Sequence, residues 1–295
     1  MAFRTLVVGT DFSAEAERAV AHAANIARIT GGTLTLVHAG TVIDAPGGND
    51  ELRAPTYTRM YDEYLTDVRE KLAAAAGRAT QYGAAAQRRL VDGFADTALP
   101  RAARELGADL LAVGSRGKTG LRRLLLGSVA ERVVRLAPMS VLVARDPMPR
   151  SGYLRILVPV DFSPAGEMAL ATARLLASPG ATVEVIHFWR PPPASRYAGA
   201  SRDIPEVADR LAASSRYAVG REGEALLERH RRSDVTLRFR SARGAPSAGI
   251  CERAADGFDL VIVGSRGRRG LRRVLAGSAS HAAVRHAPCS VLVVR

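Results

Sequence analysis

Short apolar runs alternate with longer amphipathic stretches along the whole chain. In the first half "TLVVGT", "TLTLVHA", "QRRLVDG", "DLLAVGS" and "SVLVAR" have the length and composition of strands. Between them "AEAERAVAHAANIARI", residues 57–79, "DTALPRAARELG" and "SVAERVVRLA" read as helices. The second half keeps the order, with strands at "RILVPVD", "TVEVIHF", "VTLRFRS", "DLVIVGS" and "SVLVVR". Strands that are apolar on both faces and alternate with helices predict a parallel sheet covered on both sides. Right-handed crossovers then give an α/β fold, an open doubly wound sheet whose ligands bind beyond the carboxyl ends of the strands, where the strand order reverses. With a strand order of 3-2-1-4-5, Asp11 at the end of strand one and Gly114 at the end of strand four flank that point.

The two halves are copies. Residues 113–145 align on 263–295 without a gap and are identical at 21 of 33 positions. The starts correspond as well: "LVVGTDFSAEAERAV" from Leu6 parallels "ILVPVDFSPAGEMAL" from Ile156, with Asp11 above Asp161. Internal duplication accounts for both matches. It divides the chain into domains at 1–146 and 154–295, joined by a linker at 147–153 in the proline- and glycine-containing stretch "RDPMPRSGY".

Composition narrows the class. Hydrophobic residues make up 47% of the 295 and charged residues 24%, the profile of a soluble globular protein. No apolar stretch is long enough for a membrane helix, and the start runs directly into a strand, so a cytoplasmic location is expected. The two cysteines, Cys251 and Cys289, both lie in the second half, which argues against a disulfide framework or a metal site. The net charge of +13 raises the question of nucleic acid, yet aromatic residues are only 5% and no basic run is interleaved with stacking side chains. Locally the charge is concentrated: Arg116, Lys118, Arg122 and Arg123 in the first half, and Arg266, Arg268, Arg269, Arg272 and Arg273 in the second, crowd two glycine-rich loops.

Those loops have the form G-x-x-G-x9-G-S, as Gly114, Gly117, Gly127, Ser128 and again as Gly264, Gly267, Gly277, Ser278. The first two glycines follow a strand where the backbone turns and a ligand approaches without a Cβ in the way. The last glycine and the serine open a helix, whose free N–H groups and dipole favour a phosphate. A plainer reading makes the serine an ordinary N-cap and the glycines loop punctuation. Asp11 and Asp161 likewise suit either ligand contact or helix capping, although Ser13 and Ser163 are equally placed to cap. His38 and His187, at the ends of the second strands, read as packing residues rather than catalysts.

Taken together, "DFS" after the first strand, "VH" or "IHF" ending the second, the whole glycine loop and a closing "APxSVLV" resemble the universal stress protein family, specifically its tandem-domain members. The resemblance implies the adenine-nucleotide α-hydrolase-like, Rossmann-like fold with five parallel strands per domain, and ATP binding, with or without Mg²⁺. It implies adenosine contacts at Asp11 and Asp161, backbone contacts to adenine at Ala39 and Phe188, and ribose and phosphate contacts at Gly114, Gly117, Gly127, Ser128 and Val129. In the second copy the last set is Gly264, Gly267, Gly277, Ser278 and Ala279. It also implies an intrachain pseudo-dimer through the last strands, with a homodimer of chains as a further step and protein partners unnamed.

No Walker-type P-loop, no adenylating SGGxDS-like loop and no acidic metal pair stands out, so no catalytic residue is assigned. The expected activity is nucleotide-dependent regulation in stress response with two ATP sites per chain. Slow ATP hydrolysis is one alternative, and a basic interaction module with structural glycine loops is the other. Residues 40–56 and 190–204, rich in proline, glycine and alanine, are the expected closing element over adenine, or else ordinary surface loops.

Overall fold

The computed structural model describes residues 3–40, 55–117, 126–190, 204–265 and 278–295. It forms two compact units, one ending at Met148 and the other beginning at Pro149. The first contains β1 (Thr5–Gly9), α1 (Ala14–Thr30), β2 (Thr33–Gly40), α2 (Pro55–Gln81), β3 (Ala86–Asp92), α3 (Ala95–Glu105), β4 (Leu110–Gly114), α4 (Ser128–Leu136) and β5 (Ser140–Ala144). The second contains β6 (Tyr153–Pro159), α5 (Pro164–Leu176), β7 (Ala177–Trp189), α6 (Ile204–Arg229), β8 (Thr236–Arg243), α7 (Pro246–Ala254), β9 (Leu260–Gly264), α8 (Ser278–His286) and β10 (Ser290–Val294).

The named strands of each unit pair in parallel throughout, in the order β3-β2-β1-β4-β5 and, in the second, β8-β7-β6-β9-β10. In the first sheet Val7 lies beside Thr35 on one flank and Leu111 on the other. The central strands are apolar throughout because helices cover both faces: α1 packs on β1 and β4, whereas α3 packs on β1 and β2 alongside α4. Leu6, Val7, Leu36, Leu110, Leu111 and Leu142 are fully buried as a result. The outer strands β3 and β8 instead expose Arg88, and Arg238 and Arg240, which blunts them against edge-to-edge pairing.

The duplication extends to individual polar contacts. Asp109 Oδ2 accepts the amides of Arg4 and Thr5 at 2.8 and 3.0 Å, and Asp259 Oδ2 accepts those of Leu154 and Arg155, both at 2.7 Å. Each carboxylate holds the start of its domain's first strand beside the fourth. Ser13 and Ser163 cap α1 and α5 by accepting the amides of Ala16 and Gly166. Arg78 of α2 makes a bidentate pair with Glu17 of α1, and Arg229 of α6 reaches Glu167 of α5.

One element starts earlier than its sequence pattern. The apolar run "TVEVIHF" begins at Thr182, yet β7 already pairs at Ala177, with a register shift between the Tyr153 and Arg155 pairings. Helix α1 ends on the left-handed Gly31, φ 66°, whereas α5 ends on Ala177 in an extended conformation and passes straight into the strand. The left-handed Gly180, φ 79°, lies within that irregular stretch.

Candidate functional site

The carboxyl ends of β1 and β4 are neighbours, and the crevice between them is the reversal point of the first sheet. A cavity of about 300 Å³ opens there. Its walls include all seven residues the sequence singles out in this domain: Asp11, Ala39, Gly114, Gly117, Gly127, Ser128 and Val129.

Asp11 is positioned by the turn after β1. Its Oδ1 accepts the Ser13 amide at 3.0 Å and the Ser13 hydroxyl at 2.5 Å, while that hydroxyl oxygen in turn accepts the Ala16 amide at 3.2 Å. Serine therefore caps the helix and the aspartate braces the serine, leaving Oδ2 toward the glycine loop. Between them Phe12 has φ 63°, and its counterpart Phe162 has φ 56°, a left-handed conformation that costs an L-residue about 1–2 kcal/mol. Phe12 stacks on His38 with ring centroids 4.6 Å apart, and Phe162 lies tilted against His187 at 4.8 Å. Each histidine donates from Nδ1 to a backbone carbonyl, of Thr10 and of Val160, so both serve the packing of this turn.

The glycines have separate tasks. A Cβ on Gly114 would lie 2.7 Å from the carbonyl carbon of Glu15 and 3.0 Å from the Ala16 nitrogen, so this residue is small to let the end of β4 touch the first turn of α1. Gly264 meets Ala165 in the same way, with a Cβ falling 2.8 Å from its carbonyl carbon. The first glycine of each motif thus answers to packing, whatever else it does at the site. Gly117 lines the crevice as well, and a Cβ there would come within 2.7 Å of Asp11 Oδ2.

Gly127, not Ser128, is the N-cap of α4, with φ −76° and ψ 152° and no side-chain cap. Ser128 is the first helical residue, so the reading of the serine as an ordinary N-cap does not apply to this domain. The amides of the first turn of α4 open toward the crevice with the positive end of the helix dipole. Arg116 adds a full charge on the same wall: its nearest acidic group, Glu15, is 3.8 Å away, and its buried Nε has no hydrogen-bond partner among the described residues. The opposite end of the crevice is apolar, formed by Ala39, Ala95 and Leu99.

Sequence reasoning missed part of this lining. Ala95 and Leu99 come from α3, whose crevice-facing side carries no signal beyond helical periodicity, and Thr10 is visible only as the neighbour of Asp11. Arg116 was detectable through the clustering of charge at the loop.

In the second domain Asp161 repeats the turn, with Oδ1 accepting the Ser163 amide at 3.1 Å. Phe188 is the penultimate residue of β7 as Ala39 is of β2, and Gly264 ends β9. Ser278 and Ala279 open α8. Gly267 and Gly277, like most of the expected closing elements at 40–56 and 190–204, lie outside the described residues.

Two tandem doubly wound domains, each with an aspartate after strand one and a glycine at the end of strand four, define a class of Rossmann-like α/β proteins. The universal stress protein family matches the chain twice, at residues 2–145 and 152–295, and the chain belongs to that family. Universal stress protein Rv2005c of Mycobacterium tuberculosis is 29% identical over 300 residues, covering 98% of this chain and 96% of the relative. Universal stress protein Rv2623 of the same organism is 30% identical over 314 residues with the same coverage. Among solved structures, a universal stress protein from Archaeoglobus fulgidus superposes with a TM-score of 0.66 at 20% identity, over 99% of this chain and 98% of the other.

Among the described residues no helix is long and apolar enough to cross a membrane, and no three His, Cys, Asp or Glu side chains cluster as metal ligands.

Proposed function

We propose that the first-domain crevice binds ATP and that the protein is a nucleotide-dependent regulator in stress response. The observation that carries this reading is the pairing of an uncapped α4 N-terminus with Arg116, whose Nε is buried and lacks a protein partner among the described residues. A polyphosphate suits this wall, since it accepts from helix amides and from the exposed nitrogens of a guanidinium. Adenine then lies toward Ala39, Ala95 and Leu99, and the Asp11 carboxylate, on the crevice wall beside Gly117, is placed to meet ribose hydroxyls. The volume of about 300 Å³ is at the lower end of the ~300–1,000 Å³ usual for small-molecule pockets. ATP arriving with Mg²⁺ brings the metal on its own phosphates. Regulation follows if ATP binds one conformation of the chain better than another, with an intrachain pseudo-dimer, a homodimer or a partner protein as the element that responds. The motif occurs twice, so two nucleotides per chain is the ceiling set by sequence.

The test is to denature freshly purified protein and count the nucleotide released, then to titrate stripped protein with ATP. Loss of the Arg116 charge in Arg116→Ala is expected to weaken ATP about 10- to 100-fold, the range for a charged hydrogen bond worth about 1.5–3 kcal/mol. No nucleotide released and no binding on titration would overturn the reading.

A further inference from the structure

The turn that presents Asp11 runs through a conformation that bulky side chains rarely adopt. Phe12 follows the aspartate at φ 63°, and Phe162 follows Asp161 at φ 56°. Glycine enters this left-handed region freely and would close the turn without strain. Both copies place a phenylalanine there instead, so the reason for the ring lies in what it touches. In the first domain it lies on His38, with centroids 4.6 Å apart and planes 23° from parallel. The imidazole is itself fixed, because it belongs to β2 and its Nδ1 donates to the Thr10 carbonyl at 2.7 Å. The Thr10 amide donates to the Val37 carbonyl at 2.9 Å, and the Phe12 amide donates to Thr10 Oγ1 at 3.0 Å. The residues on either side of Asp11 are thus both tied to β2, one through its backbone and the other through its ring. Thr10 and Asp11 belong to the crevice wall, whereas Phe12 and His38 do not. The stack therefore acts on the crevice only through the aspartate.

We infer that Phe12, braced by His38, is a positioning residue that aims the Asp11 carboxylate at the sugar of the nucleotide, and that this stack sets the preference for a sugar carrying hydroxyls. This rests on the ATP reading of the first crevice. An ionised carboxylate only accepts hydrogen bonds, so it rewards a ribose hydroxyl and offers nothing to a sugar without one. Such a bond weakens steeply once its angle is lost. A turn free to swing at residue 12 loses that bond first. The phosphates, held by the α4 N-terminus and Arg116, are bound independently of it.

Calorimetric titration of stripped full-length protein with ATP, 2′,3′-dideoxy-ATP and inorganic tripolyphosphate, each with Mg²⁺, tests this. Wild type is expected to bind ATP about 10- to 100-fold more tightly than the dideoxy analogue, the range for a hydrogen bond to a charged acceptor. Phe12→Gly relieves the left-handed strain and removes only the ring, so a role confined to closing the turn predicts no loss. The positioning role predicts that the preference shrinks to about threefold or less while tripolyphosphate affinity is unchanged. His38→Ala should do the same, the two changes together should do no more than either, and Phe12→Tyr should keep the wild-type preference. Circular dichroism checks folding, and His38→Ala supplies the same comparison if Phe12→Gly fails to fold. A folded Phe12→Gly or His38→Ala with the full preference would overturn the inference. Wild type that binds ATP and the dideoxy analogue equally would overturn it and leave the ATP reading standing. No ATP on wild type would overturn the ATP reading, and the inference with it.

Discussion

Gly117→Ala offers a quantitative check on the geometry of the crevice. The new Cβ would fall 2.7 Å from Asp11 Oδ2, so the carboxylate must turn away. It cannot turn freely, because Oδ1 holds the Ser13 amide and hydroxyl at 3.0 and 2.5 Å. Disrupting one hydrogen bond to a charged acceptor costs about 1.5–3 kcal/mol. Against this, Gly117 is not in the left-handed region, so alanine gains about 0.4–1 kcal/mol by restricting the unfolded chain. The net expectation is about 1–2 kcal/mol of destabilisation in the wild-type background. In an Asp11→Ala background the collision is gone, and the same substitution should be neutral or slightly stabilising. The coupling between the two positions is therefore about 1.5–3 kcal/mol, a range typical of residues in direct contact. The assay is hydrogen exchange by mass spectrometry on nucleotide-free protein, read on peptides from the start of α1, which reports opening of this domain separately from the other. Gly117→Ala should speed exchange there by roughly 5- to 30-fold in the wild-type background, and not in Asp11→Ala. An equal effect in both backgrounds would refute the contact between Gly117 and the carboxylate as the source of the cost.

Two further predictions concern the frame around the site. Asp109→Ala should cost about 1–2 kcal/mol, because it removes the acceptor for the Arg4 and Thr5 amides, and Asp259→Ala should cost a similar amount in the second domain; thermal melts of both variants check this. Burial pushes the Asp146 carboxyl above its ordinary range more than Arg18 and Arg145 pull it down. The folded state then holds a proton the unfolded state has released, so this group's contribution falls as pH rises from near 4 through the folded pKa and is least favourable at neutral pH. Asp146→Asn should raise the neutral-pH Tm and flatten Tm against pH across that window, and an unchanged pH profile would contradict the assignment.

The strand order and the meeting of Asp11 with the glycine loop were legible in the sequence because apolar runs fix the parallel sheet and handedness fixes the crossovers. All seven first-domain residues singled out by the motif line one crevice. The division of labour among the glycines was not legible. Gly114 and Gly117 look alike in a string, and only the approach of the Glu15–Ala16 backbone to one and of the Asp11 carboxylate to the other separates them. The Ala95 and Leu99 wall was hidden for a similar reason, since it depends on where α3 crosses β1 and β2. The early start of β7 escaped because Ser178, Pro179 and Gly180 have no apolar pattern and lie in the register shift between the Ala177 and Thr182 pairings.

The packing role of Gly114 and Gly264 changes what a signature can testify to. A domain that has abandoned its ligand still has to close the end of its fourth strand against its first helix, and any larger residue there jams two backbones together. The architecture requires the glycine whether or not a ligand binds, so its presence speaks for the fold before it speaks for occupancy. Counting intact motifs along a tandem chain is then a census of scaffolds, and the ligands have to be counted at the bench.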